Sequence, residues 1–337
     1  MTSAETIVLS MQEAEELCFR ATLGVGADVA AARSLARATV AAEADGQPTL
    51  GLSHLTDYLD GYRTGRIAAG VTPMLTRPLP TVIRSDAAGG LAHLGFDLAF
   101  DDLVSAARNF GVAIFSQSNA FTCGALGYFA GRLAEQGLVA FAATNGPALM
   151  AGSGSTQPVY CTNPLAFAAP GGADGPLLID QASSATAFVN IRNAAQNNEP
   201  IPEGWAVGSD GKNTTDPQEA MKGALLAFGG TRGANIALML EVLSAGLTGA
   251  NWSLDAPSFT SGSESPGSGL FILAIDPKVM EPDFEHRMEK QLRRLSDDYG
   301  VHIPGRSKHA HRLHAGQSGL AAPREIVAEL EAAAQER

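Results

Sequence analysis

SNAFTCGALGYFAGRLAEQGLVAFAATNGPALMAGSGSTQPVYCTNPLAFAAP, residues 118–170, decides how this chain is read. Small residues at Ala120, Cys123, Gly124 and Ala125 lead into a helix-period run of Leu126, Phe129, Ala130 and Leu133. Gly137 closes that run where a helix C-cap would sit. A strand-like run over 138–143 follows, and then a Gly/Ser loop over 152–155. A helix that starts on small residues leaves its first N–H groups and the positive end of its dipole open to a ligand. The stretch points to an anionic ligand of nucleotide type, with tight packing as the competing explanation.

Working outward, Ser10 and Glu13 form a capping box ahead of Leu17, Cys18 and Phe19, which predicts a first helix. Gly24 and Gly26 interrupt it, an Ala-rich helix is predicted over 27–44, and Asp45-Gly46-Gln47-Pro48 is a turn. Leu52, Leu55, Leu59 and Tyr62 mark a third helix ending at Gly65, so the chain is expected to open with three helices. Strands are predicted over 81–84, 112–115, 177–180 and 271–275, and helices over 98–110, 234–246, 284–299 and 323–335. Strands and helices mix without strict βαβ alternation. The expectation is a mixed α/β sheet with a helical subdomain built from both termini. Residues 1–75 would form the N-terminal helical part, 76–280 the α/β domain, and 281–337 a C-terminal helical segment packing on the first.

With 337 residues, 45% of them hydrophobic, the chain has enough apolar surface for a substantial core. A net charge of −12 argues against nucleic acid and against anionic membrane as partners. No apolar run approaches the roughly 18 residues of a membrane span. No basic segment precedes an apolar one at the start, so the expected location is the cytoplasm. Cys18, Cys123 and Cys161 are odd in number and far apart, as suits reduced thiols.

The sequence has no G-x-G-x-x-G after a strand, no P-loop, no H-E-x-x-H, no G-x-S-x-G and no C-x-x-C. Gly152-Ser153-Gly154 lacks the downstream pattern of a dinucleotide fingerprint and reads as packing. A second glycine-rich element, LLAFGGTRGANIALMLEVLSAGLTG over 225–249, sets Gly229, Gly230 and Gly233 around Thr231-Arg232 just before a helix. An arginine there suits a phosphate, although a solvated arginine on a glycine turn reads the same way. His93, between Leu91 and Leu94, reads as structural. The C-terminal His302, His309, His311 and His314 have poor metal spacing and no acidic or thiol partner close by, so no metal is expected. With Arg306, Lys308 and Arg312 they read as a basic segment touching cofactor phosphates, or as a solvated one.

Taken together, these stretches make the chain resemble the type 2 malate/L-lactate dehydrogenase family, which includes sulfolactate and ureidoglycolate dehydrogenases and cyclic-ketimine reductases. The resemblance spans nearly the whole chain. It rests on EADGQPTLGLSHLTDYLDGYRTGRI, the 118–170 block with TNPLAFAAP, LLIDQASSA, the 225–249 element, GLFILAIDP and VHIPGR. It implies NADH or NADPH bound on a non-Rossmann α/β fold, usually in a homodimer with a cleft between subdomains. Carried over residue by residue, it places Ala120, Phe121, Thr122, Cys123 and Gly124, then Asp180, Gln181 and Ala182, then Thr231 and Arg232, then Pro304, Gly305 and Arg306, on cofactor positions. Thr162 matches the T-N-P substrate turn.

The proton-transfer positions depart from the family. The family's Ser-His-Gly, with the histidine as proton donor and the serine as its relay, falls on Thr49-Leu50-Gly51. The family's substrate arginine falls on His54, its relay aspartate on Asn190, and a further histidine on Ala120. If residues 50–54 are helical, Leu50 and His54 share a face, and the imidazole reaches the vacated space. A cyclic imine that binds already protonated needs no acid at all. The expectation is therefore NAD(P)H-dependent reduction of a cyclic ketimine carboxylate, Δ1-pyrroline-2-carboxylate or Δ1-piperideine-2-carboxylate, with NADPH before NADH. Thr162 and His54 would hold the carboxylate, and Thr49 and Asn190 would hydrogen-bond near the imine nitrogen. The alternatives are a 2-hydroxy-acid dehydrogenase (lactate, malate or sulfolactate type) with His54 as acid/base, and a nucleotide-binding member without catalysis.

Overall fold

Seven strands form the central sheet of the computed structural model, which describes residues 5–336. In spatial order they are β2 (Met74–Leu79), β3 (Val82–Asp86), β4 (Val112–Ala120), β13 (Ser268–Ile275), β5 (Val139–Thr144), β8 (Leu165–Ala169) and β9 (Leu177–Gln181). Only β3 and β4 run parallel; every other neighbouring pair is antiparallel. A doubly wound dinucleotide fold needs a largely parallel sheet, so this is a mixed, non-Rossmann α/β fold, as expected from the sequence. A smaller sheet orders β11 (Asn213–Thr214), β10 (Ala206–Val207), β12 (Ala224–Leu225), β6 (Met150–Ala151) and β7 (Pro158–Tyr160). It shares a core with α6 (Phe188–Asn197), α7 (Pro217–Ala220) and α8 (Thr231–Glu241), through Ile191, Ala220 and Ala237.

The large sheet packs on α4 (Ala92–Phe110) and α5 (Gly127–Ala134), with Phe96, Phe115 and Phe129 fully buried between them. A second core joins α1 (Met11–Gly24), α2 (Val29–Ala44) and α3 (Leu52–Arg63) to α11 (Arg324–Ala333). Its contributors include Leu17, Leu35, Leu59 and Leu330. The Ser10–Glu13 capping box is formed as read, and Asp28 caps α2. Gly111 ends α4 in the left-handed region, at φ 82°. Of the remaining helices, α9 (Phe284–Tyr299) buries only Leu292 and lies beside the Gly172–Asp174 turn, whereas α10 (Arg306–Ser318) packs on α2.

Several boundaries depart from the sequence reading. The chain's first described element is a strand, β1 (Thr6–Leu9), paired antiparallel with β14 (Leu320–Pro323) ahead of the three helices. The strand read over 112–115 continues to Ala120, where it pairs with β3 and β13, and its buried Gln117 is satisfied. Ser85 Oγ donates to Gln117 Oε1 at 2.8 Å, and Gln117 Nε2 donates to the Ala92 carbonyl at 3.2 Å. The helix read from 98 starts at Ala92, and the one read over 234–246 starts at Thr231 and widens into a π-turn over Val242–Gly246. Pro323 caps the last helix instead of entering its first turn.

Candidate active site

The start of α5 does not stand open to a ligand. Gly127 N–H donates to Asp180 Oδ2 at 2.9 Å, so the positive end of the helix faces this chain's own carboxylate. That corrects the sequence reading in which the small residues 120–125 leave the start of the following helix open to a ligand. Lys308 Nζ approaches the same oxygen at 3.7 Å. Burial pushes the Asp180 carboxyl above its ordinary range, and Lys308 and the Gly127 N–H only partly offset it. A carboxylate held at such cost needs an explanation beyond capping.

Asp180 lies in the wall of an open cleft of about 380 Å³, lined also by Gly46, Gln181, Pro304, Gly305 and Lys308. That volume falls within the usual range for cofactor sites. Gly305 has φ +98°, and a Cβ there would meet the Pro176 carbonyl oxygen at 2.5 Å, so only glycine lets β9 and the start of α10 close on each other. The cleft thus joins Asp180 and Gln181 to Pro304 and Gly305, two of the cofactor stretches read from the sequence. Arg306 points elsewhere, to Asp174 at 2.9 Å. In the 120–124 stretch, Ala120, Phe121 and Cys123 are buried, and only Thr122 and Gly124 are half-buried. Burial pushes the Cys123 thiol up to about 12, which keeps it protonated.

Thr231 and Arg232 are exposed at the start of α8. Ser153 donates to Thr231 at 3.1 Å, which sets the Gly152–Gly154 loop against the second glycine-rich loop. Among the described residues, no hydrogen bond links either side chain to the Asp180 cleft. Thr162 is half-buried, and its carbonyl accepts from Ser183 N–H at 2.8 Å.

The condition for His54 to replace the lost donor is not met. Leu50 lies in the turn before α3, whose N-cap is Gly51, so residues 50–54 are not one continuous helical stretch. Behind Leu50 lies a void of about 10 Å³, room for one water at most, lined by Tyr58, His93, Gly124 and Tyr128. His54 does not line it. Its Nδ1 pairs with Asp57 at 2.9 Å, and its ring meets Tyr58 edge-on with centroids 5.1 Å apart. Burial raises the Asp57 carboxyl, but the hydrogen bond and charge of His54, with Arg192 and Arg66, outweigh it and hold it below its ordinary value. His93 is buried and stacks on Phe129, in line with its structural reading; desolvation pushes it down to about 4, so it is neutral near pH 7. Neither the Tyr58 hydroxyl nor His93 Nδ1 has a hydrogen-bond partner among the described residues. Thr49 is exposed, and so is Asn190, whose amide donates to Thr186 Oγ1 at 3.0 Å. Among the described residues, no three potential metal ligands converge, and no helix is long and apolar enough to cross a membrane.

Residues 9–331 match the family described as malate/L-lactate dehydrogenase. The chain is 37% identical over 331 residues to a (2R)-3-sulfolactate dehydrogenase (NADP(+)) of Chromohalobacter salexigens, covering 98% of this chain and 99% of that protein. It is 34% identical over 334 residues to a Δ1-pyrroline-2-carboxylate reductase of Ancylobacter novellus, covering 97% and 98%. The crystal structure of a Δ1-piperideine-2-carboxylate reductase from Pseudomonas syringae pvar. tomato superposes with a TM-score of 0.92 at 30% identity, over 98% of this chain and 100% of that one. With the family matched along nearly its full length, this chain belongs to the malate/L-lactate dehydrogenase family and is an NAD(P)-dependent oxidoreductase.

Proposed function

We propose that the protein reduces a cyclic ketimine carboxylate, Δ1-pyrroline-2-carboxylate or its six-membered homologue, with NADPH used before NADH. The observation that carries this reading is Leu50: where the family places its proton donor, this chain has an alkyl side chain over a one-water void. A ketone becomes an alkoxide on reduction and must be protonated. An iminium is neutralised by the reduction itself, so it tolerates a site without an acid. The two reductase relatives named above support this substrate class.

The reduced nicotinamide, when bound, supplies a hydride to the imine carbon. This chain's residues do the rest. Asp180, Gln181, Ala182, Pro304 and Gly305, with residues 120–124, would hold the dinucleotide, and Arg306 would join them only by leaving Asp174. Thr231 and Arg232 would meet a phosphate. Thr162 and His54 would hold the substrate carboxylate, with Thr49 and Asn190 near the imine nitrogen. Binding and alignment are the main contribution of such a site. Lys308 in the cleft wall, and the NADP(+) in the name of the sulfolactate relative, support the cofactor preference.

One specific observation favours a second reading. The sulfolactate relative is 37% identical, which favours a 2-hydroxy-acid dehydrogenase, in which His54 would have to act as acid/base from outside the space behind Leu50. Oxidation of NADPH and NADH by the purified protein, with cyclic imine carboxylates and with 2-oxo acids including sulfopyruvate, separates the two. Turnover confined to the imines is expected. Turnover of 2-oxo acids in preference overturns the first reading.

A further inference from the structure

Glu241 is a buried carboxylate, 3% exposed, at the last residue of α8. Among the described residues it has no cationic partner. Instead it accepts three hydrogen bonds. Ser253 N–H donates to Oε1 at 2.6 Å, and Ser253 Oγ and Asn163 Nδ2 donate to Oε2 at 2.8 and 2.7 Å. Three donors converging on one carboxylate replace the water it has lost.

Both partners belong to the T-N-P turn or hold it. Asn163 is fully buried with φ +30°, a conformation asparagine tolerates better than most residues, and its amide also donates to the Ala237 carbonyl at 2.9 Å. Ser253 Oγ accepts from Cys161 N–H at 3.1 Å while donating to Glu241. Ser183 closes the other side, donating from Oγ to the Asn163 carbonyl at 2.7 Å and from N–H to the Thr162 carbonyl at 2.8 Å. The residues on either side of Thr162 are therefore both tied to Glu241, one directly and one through Ser253. The helix leaves α-geometry immediately after Glu241, in the π-turn over Val242–Gly246, a feature common near functional sites.

We propose that Glu241 is a positioning residue for the reaction: its carboxylate sets the left-handed Asn163 and, through it, the direction in which Thr162 presents its hydroxyl to the substrate carboxylate. This rests on the reading in which Thr162 binds substrate. A glutamine would occupy the same volume, but it would aim an NH₂ donor at a site whose partners are all donors. The charge, not the bulk, is what the turn requires.

The test is Glu241→Gln. The KM for the carboxylate substrate is expected to rise about tenfold or more while kcat stays within about threefold, as for an interaction lost alike from the bound ground and transition states. NADPH affinity, followed by its fluorescence, is expected to stay within about twofold, since Glu241 does not touch the Asp180 cleft. Ser253→Ala removes one donor and the Cys161 anchor while sparing the carboxylate, so it provides a milder variant should E241Q fold poorly. Its KM is expected to rise about threefold, and amide exchange at residues 161–163 to quicken in both variants. An unchanged KM with a lowered melting temperature overturns the proposal and makes Glu241 a buttress of the fold. If the wild type reduces 2-oxo acids and not imines, the substrate reading falls while the KM comparison is made with the 2-oxo acid. If it reduces neither, unaltered exchange at 161–163 in both variants overturns the positioning role by itself.

Discussion

Asp180→Asn separates stability from cofactor binding. The substitution preserves shape and leaves an acceptor for Gly127 N–H at 2.9 Å, but makes that bond neutral, at a cost of about 1 kcal/mol. The attraction to Lys308 at 3.7 Å is worth roughly 4 kcal/mol gross at an effective dielectric near 20, and less in practice because Lys308 is 21% exposed. Against both stands the desolvation of a carboxylate only 10% exposed, which amounts to several kcal/mol. The upward pKa shift gives the sign: desolvation, the largest contribution, together with the nearby Asp45 charge exceeds the attractions of Lys308 and the Gly127 N–H. The unfolding free energy of D180N is therefore expected within about 1 kcal/mol of wild type, a shift of roughly 1–2 °C. The acidity has a direction as well. With its folded pKa raised, Asp180 holds its proton in the native state where the unfolded chain has lost it, so stability falls as pH rises through that window. Wild type should lose ground to D180N as pH climbs above the ordinary carboxylate range, and the gap should then level off. The NADPH Kd is expected to rise about tenfold, or 1.4 kcal/mol, because the charge orders Gly127 and Lys308 along the cleft. Differential scanning calorimetry across pH and fluorescence titration of NADPH measure the two quantities. A fall in melting temperature beyond about 8 °C with an unchanged Kd would refute the reasoning and leave Asp180 as a helix cap alone.

Four further outcomes are expected. His54→Ala should raise the KM of an iminium substrate by about tenfold with kcat nearly kept; a loss of orders of magnitude in kcat would identify His54 as an acid. Lys308→Gln should weaken NADPH more than NADH in paired fluorescence titrations, because a compact positive charge in the cleft distinguishes a phosphate from a hydroxyl. His93, pushed down to about 4, stays neutral where an unfolded histidine is charged, so wild-type stability should fall as pH drops from about 6.5 towards 4. Melting curves of His93→Leu over that window should be flatter. Leu238, Met239, Val242, Leu247, Trp252 and Leu254 all lie exposed between residues 238 and 254. If these side chains form the contact between two copies of the chain, Leu247→Asp should shift the mass measured by light scattering towards monomer.

What was legible in the sequence was local. The Ser10–Glu13 capping box and the strongly amphipathic run over 284–299 carry their own signal, and the first helix starts where the residues say, while the second, read from 27, starts at Val29 after its Asp28 cap and ends at Ala44 as read. The strand β1 does not, because four residues show their partner only once the other end of the chain has folded back. α10 escaped notice because only Ala315 of its thirteen residues is buried, so no apolar period marks it. In the site, Asp180 and Gly305 were found through family resemblance, but the Gly127–Asp180 contact joins residues far apart in sequence and has no local trace. The missing donor at Leu50 was plain, whereas the break between Leu50 and α3 depends on the Gly51 backbone, with its ψ of −130°. Glu241 left one usable signal, a lone charge inside the apolar run ALMLEVL.

The pairing of β1 with β14 also bears on how the protein is made. The core around Leu17, Leu35 and Leu59 is completed by Leu320, Leu330 and Ala333. Between Gly24 and Leu320 a ribosome must add roughly 300 residues, which takes about 15–60 s at 5–20 residues per second. Until then the core of the first three helices lacks the side chains that the last strand and helix bring to it, while the strands from β2 to β13 become free to pair as each is made. The nascent chain should therefore place its heaviest demand on holdase chaperones through its opening segment, and a premature stop before Leu320 should yield a product with an ordered sheet and a helical layer prone to aggregation.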